Sequence, residues 1–220
     1  MFTAEANNHF SRPPSASADR CVRPQALERK TMMKTVLVIL SSLLIACPVY
    51  ALETSLPPAP EGYSWTVFEE TKSAFLKPNG WFVKKMQKGE TWGYFITKED
   101  IEKSGKFITG LSVNIVPNIP KKKGMSPVQY ANEYIQTAAR SKEVRKEPWA
   151  TEMGPFKAFG VVLLNKDPKQ GDFITHNLAI GNEATGTFYT IIYEGPASSW
   201  DATWKVGEPM LQRFLIDSDI

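Results

Sequence analysis

The sequence predicts an α+β fold, a mostly antiparallel β-sheet packed by helices. Three observations lead there. Short runs rich in aromatic and β-branched residues are separated by turn signals. One sharply capped amphipathic helix stands between two groups of such runs. The connections among the later runs are too short for parallel crossovers.

The elements follow in order. Residues 64–70 and 73–77 read as strands, and Pro78-Asn79-Gly80 after them is a strong turn. Residues 81–88 and 92–97 flank Lys88-Gly89-Glu90 and read as a hairpin. Residues 97–103 read as a helical turn. Residues 107–116 alternate, which places Phe107, Leu111, Val113 and Ile115 on one strand face. Residues 118–125 read as a loop. A helix then starts at Ser126, which caps it, with Pro127 at the first helical position and Gln129 completing a capping box. Ala131, Tyr134, Ile135 and Ala138 form its apolar stripe, and it ends near Lys142. Residues 156–165 are apolar on both faces, the mark of a central strand covered on both sides. Turns at 167–171 and 182–186 lead into strands 172–181 and 187–194, an antiparallel meander. Ser198 or Ser199 caps a last helix with Trp200, Trp204, Leu211 and Leu215 near one side and a kink at Pro209. The natural solution is one sheet with helices packed on it.

Residues 1–62 read differently from the domain at 63–220. Met32-Met33-Lys34 opens an apolar run of about 12 residues, short of the ~20 needed to span a bilayer, so 32–51 reads as a signal peptide. Pro48 breaks the run and Val49-Tyr50-Ala51 offers cleavage after Ala51. Leu44-Ile45-Ala46-Cys47 supports a competing reading, a bacterial lipobox whose Cys47 receives lipid. Residues 1–31 hold Arg12, Arg20, Arg23 and Arg29 among serines and prolines. They read as an over-called start or as half of an organelle transit peptide, and Glu5, Asp19 and Glu28 count against the second. Residues 52–62 contain three prolines and read as an extended tether. The expected location is extracytoplasmic, periplasmic or secreted, with a lipid anchor as the alternative. Association with a membrane follows only if Cys47 is lipidated.

Charge and cysteine then change meaning. The chain has 26 basic and 23 acidic residues. Residues 1–51 carry six of the basic and three of the acidic ones, which leaves twenty of each. A neutral domain has no global electrostatic case for nucleic acid. Cys21 and Cys47 are the only cysteines, so cleavage after Ala51 leaves no thiol and no disulfide.

Phe75-Leu76-Lys77-Pro78-Asn79-Gly80-Trp81 looks like the aromatic–x–x–Pro–x–Gly–Trp turn of the PsbP-like family. The helix start Ser126-Pro127-Val128-Gln129-Tyr130-Ala131-Asn132-Glu133-Tyr134 and the aromatic strand 187–194 running into a closing helix add to the resemblance. It spans most of 62–217. It implies an α/β/α sandwich, shared with the Mog-type Ran-binding proteins and the DcrB-like lipoproteins. It also implies an accessory role in assembling or stabilising membrane complexes outside the cytoplasm, with no shared catalytic residues. The expected partner is an envelope or membrane-complex protein, and no cofactor or metal is expected.

Candidate site residues are few. His176 is the only histidine after Ala51, which excludes a two-histidine zinc motif. In a 172–181 strand it shares a face with Asp172, Ile174, Leu178 and Ile180, so Asp172 is a candidate to orient it as a base. The bland reading is a histidine satisfied within a packed face. A small secreted hydrolase using His176 or a carboxylate pair is one alternative function. A carrier for an apolar ligand between sheet and helix is another. Glu69-Glu70 and Glu99-Asp100 read as solvated, and Lys121-Lys122-Lys123 as a solvated loop. Of six tryptophans, Trp200 and Trp204 lie four apart on one helix face. They pack on the sheet or, if exposed, anchor a partner.

Overall fold

The computed structural model describes residues 56–168 and 171–216. The signal segment with Cys47 and Ala51 lies outside the described residues. Runs of alternating side chains become strands wherever one flank can be buried. β1 (Tyr63–Phe68) pairs antiparallel with β2 (Ser73–Pro78). β3 (Phe82–Lys88) and β4 (Thr91–Thr97) form a hairpin around Gly89, whose φ of 59° suits glycine. α1 (Ile101–Ser104) is capped by Asp100 and leads to β5 (Gly110–Val116). α2 (Ile119–Lys123) precedes α3 (Pro127–Ser141), where the capping box forms in full. Ser126 Oγ accepts from the Gln129 N–H at 3.2 Å, and Gln129 Oε1 accepts from the Ser126 N–H at 3.1 Å. β6 (Glu143–Met153), β7 (Phe156–Asn165), β8 (Phe173–Asn182) and β9 (Thr187–Pro196) follow as a meander. α4 (Trp200–Gln212) and β10 (Phe214–Ile216) close the chain.

Two sheets result. The larger has the order β3-β4-β5-β9-β8-β7-β6, and the smaller β1-β2-β10. Every pairing is antiparallel. On one face of the large sheet, Ile119 of α2 and Ala131 and Ile135 of α3 pack on Phe159, Val161, Leu163, Ala179 and Phe188. On the other face, Phe68, Phe75 and Leu76 of the small sheet, with Met210 and Leu211 of α4, cover Tyr94, Leu111, Val113, Ile180, Ile191 and Tyr193. The fold is therefore α+β and mostly antiparallel, with helices on both faces, as the element pattern predicts.

Several elements differ from the sequence reading. β6 is a full strand where the pattern assigns none. Its register shifts between Val144 and Lys146 and again between Lys146 and Trp149, with Pro148 in the second shift, so period-2 alternation never appears. Residues 119–123 form α2 rather than a loop. Phe107 stands outside β5 and on the opposite face from Leu111. It lies over Gly110 and meets Phe95 edge-on at 6.0 Å. Neither serine's side chain caps α4; a 3₁₀ turn over Ala197–Ser199 leads into it instead. Leu215 belongs to β10, and that strand makes the second sheet. The end of the Pro-rich segment is held against β1: the Trp65 indole donates to Pro57 O at 2.6 Å, and Ala59 packs on the core.

Two glycines set how closely layers approach. A Cβ on Gly181 would strike the backbone of Pro127 and Val128, so the start of α3 rests directly on β8. A Cβ on Gly160 would strike the Trp149 indole first. Backbone cannot swing aside, whereas a side chain can. Gly181→Ala should therefore cost about 3 kcal/mol of unfolding free energy, and Gly160→Ala about 1 kcal/mol with altered tryptophan fluorescence. Urea denaturation measures both, and equal losses would contradict this packing.

Candidate functional site

β8 alternates so that Ile174, His176, Leu178 and Ile180 face α4, with His176 between Val162 of β7 and Tyr193 of β9. Helical spacing puts Trp200 and Trp204 on the same side of α4. Trp204 lies flat on His176, with centroids 4.7 Å apart and planes 11° apart. Trp200 lies flat on Trp204 at 5.5 Å and 19°. Trp149 closes the far side of His176 edge-on, at 5.3 Å and 88°. Lys146 Nζ stands 4.4 Å over the Trp149 ring. Four rings from α4, β8 and β6 thus form one ladder, and each is only half-buried.

The ladder's position depends on how α4 is held. Tyr193 OH donates to Thr203 O at 2.7 Å, and its ring fills the space a Cβ on Gly207 would take. Both contacts bind the first turns of α4 to the middle of the sheet. Trp149 reaches His176 because Gly160 leaves room for its indole.

Burial, helped by the Lys146 charge, pushes the His176 imidazole down to about 4, so it is neutral at physiological pH. Among the described residues no hydrogen bond reaches its ring. Asp172 precedes β8 and is exposed; its backbone oxygen accepts from Ala197 N at 2.8 Å, and its carboxylate acts on Lys166. The structure therefore joins His176 to Trp200 and Trp204, and leaves Asp172 with other neighbours. Three of the four acids in the pairs noted in the sequence have partners for their side chains, and Glu69 is exposed. Glu70 binds Lys85 at 2.9 Å. Glu99 accepts from the N–H groups of Ile108 and Thr109 at 3.2 and 3.0 Å. Asp100 caps α1 and meets Lys103 at 3.2 Å. Within the lysine run, Lys122 pairs with Glu90 at 3.1 Å and Lys123 lies 5.4 Å over Tyr130.

Sequence reasoning missed Trp149 and Lys146, because β6 carries no readable alternation. It also passed over Glu194. That residue sits on the α3 face between Thr175 of β8 and Gly110 of β5. Burial raises its carboxyl to about 7, with Lys142 pulling only partly the other way. A glutamate inside an aromatic, β-branched strand was the available signal. No group of three or more potential metal ligands occurs among the described residues, and no helix among them is long and apolar enough to cross a membrane. Between α3 and the sheet the side chains of the second core cluster pack together, and at the start of α3 a hollow of about 360 Å³ is lined by Val128, Phe156, Gly181 and Asn182 among others.

No family model matches the chain, and no curated protein matches it. Solved structures do. The chain is similar to the solution structure of cyanobacterial PsbP (CyanoP) from Synechocystis sp. PCC 6803, with a TM-score of 0.44 and 13% identity over 74% of this chain and 99% of that one. It is similar to a crystal structure from Bacteroides thetaiotaomicron VPI-5482, with a TM-score of 0.44 and 8% identity over 71% of this chain and 49% of that one. It is also similar to PA94 from Pseudomonas aeruginosa, a protein of unknown function described as a putative regulator. There the TM-score is 0.41 and the identity 9%, over 70% of this chain and 96% of that one.

His176 and Glu194 give opposite pH dependences. The folded His176 pKa of about 4 lies below its ordinary 6.5. Its contribution to stability is present above pH 6.5 and lost as pH falls toward 4. The folded Glu194 pKa of about 7 lies above its ordinary 4.5. Its contribution is present below pH 4.5 and lost as pH rises through 7. Over the shared window the two offset. Glu194→Gln should leave stability rising with pH, by up to about 1.4 kcal/mol per unit, and His176→Gln should leave it falling. Urea melts at pH 5, 5.5 and 6 test this; slopes of one sign in both variants would refute it.

Proposed function

We infer that this domain is an exported, non-catalytic binding module that holds an envelope or membrane-complex protein against the ladder of Trp200, Trp204, His176 and Trp149. The single observation that carries the reading is the stacked, half-buried ladder itself. Indole rings offer large contact area at little rotamer cost, and they dominate the energetics of protein interfaces. With His176 neutral, none of the four rings carries a charge, and the one ammonium beside them, Lys146 over Trp149, is exposed. The accessory role agrees with what the resemblance at 75–81 implies, and export agrees with the apolar segment after Met33.

One observation favours the hydrolase alternative. A carboxyl at about 7 suits a general acid, so that reading moves from His176 to Glu194. A hydrolase screen with the Glu194→Gln variant separates the two readings: a reproducible activity lost in that variant would favour the enzyme.

The direct test is an affinity pull-down of the chain from detergent-solubilised native envelope, followed by titration of the purified partner. Trp200 ends the ladder, so its removal should spare the fold. Trp200→Ala should weaken partner binding by about 30-fold, the loss of a ~2 kcal/mol hot spot, with circular dichroism unchanged. Undiminished affinity would overturn the assignment of the ladder.

A further inference from the structure

The two margins of the seven-stranded sheet are built differently. β6 is guarded by its two register shifts and by Pro148, devices that spoil an edge for further pairing. β3 has neither. It runs in unbroken register from Phe82 opposite Thr97 to Lys88 opposite Thr91, and among the described residues no strand pairs with its outer side. Among the described residues, three of the five exposed large apolar side chains belong to it: Phe82 at 43%, Val83 at 38% and Met86 at 38%. Edge lysines alone would keep a margin soluble. The apolar residues between them are what a guarded edge lacks.

Alternation sorts the strand into two faces. Phe82, Lys84, Met86 and Lys88 lie on the α3 face, and Val83, Lys85 and Gln87 on the other. Lys85 is held by Glu70 at 2.9 Å. No carboxylate among the described residues pairs with Lys84 or Lys88. Beside the Phe82 end lies a hollow of about 160 Å³, lined by Phe82, Val83, Lys84, Thr97 and Ile101 and by the acidic residues Asp100 and Glu102. Lys84 thus borders the hollow, and Lys88 stands at the far end of the same open edge.

We propose that β3 is a strand-addition site for an extended segment of a partner protein in which apolar and acidic side chains alternate. The added strand hydrogen-bonds along residues 82–88, sets carboxylates on the α3 face beside Lys84 and Lys88, and turns its apolar side chains to the other face, beside Val83. Charge complementarity selects this occupant. A second copy of the chain would bring a strand with three lysines and no acid against another of the same kind. The site is separate from the aromatic ladder. Six strand spacings of ~4.8 Å place β3 on the order of 29 Å from β6, so both surfaces can be occupied together.

The test uses the full chain and two synthetic ten-residue peptides of alternating valine and glutamate or valine and lysine. The glutamate peptide should bind and slow amide exchange in residues 82–88 by at least 10-fold. The double variant Lys84→Glu, Lys88→Glu should weaken the glutamate peptide at least 10-fold and gain the lysine peptide. Both changes are at exposed positions, and circular dichroism checks that the variant is folded. Trp200→Ala should leave peptide binding intact, which separates this site from the ladder. Failure of the glutamate peptide to bind, or equal binding of both peptides to both proteins, overturns the proposal. So does a wild-type dimer in sedimentation that the double variant abolishes, since the edge would then serve self-association.

Discussion

Everything in this fold depends on the pairing of β5 with β9. Each lies at the end of a local meander: β3-β4-β5 before the capped helix, and β6-β7-β8-β9 after it. Without that pairing there would be two small sheets, each with a bare apolar flank. The contact joins distant residues such as Asn114 and Thr190, 76 positions apart along the chain. Closing a loop of that size costs on the order of 4 kcal/mol. The seam buries Leu111 beside Tyr193, Val113 beside Ile191 and Ile115 beside Tyr189, all at or near zero exposure. Each such side chain contributes about 1.5–3 kcal/mol when fully buried, so the six exceed the closure cost even after a discount for a compact unfolded chain.

The same seam places the aromatic ladder and the open edge. Tyr193, in the seam on β9, receives α4 through Thr203 and Gly207. That docking lays Trp204 on His176. With the meanders joined, β3 and β6 become the two margins of one sheet, and their chemistry differs because their protection differs. β6 is bulged and folds its Trp149 inward, while β3 stays flat and open.

The candidate site was legible only in part. His176, Trp200 and Trp204 stood out by rarity and by helical spacing, both properties of the linear chain. Their contact with one another did not, because it joins β8 to a helix more than twenty residues later. Trp149 was invisible for a different reason: two register shifts erase the alternation that would have marked its strand. Glu194 was readable as an odd residue in an apolar strand, but its environment comes from β8, β5 and the end of α3 together.

By itself, the chain determined what local physics controls. The capping box at Ser126 and Gln129, the hairpin at Gly89 and the meander of β7, β8 and β9 are each set by residues a few positions apart. Hydrogen-bond geometry and side-chain period act at that range. The tertiary structure alone decided the second sheet, the course of β6, the face taken by Phe107 and the ladder around His176. Each of these turns on which distant backbone comes close enough to touch, and at Gly160 and Gly181 that closeness is set by the absence of a single Cβ.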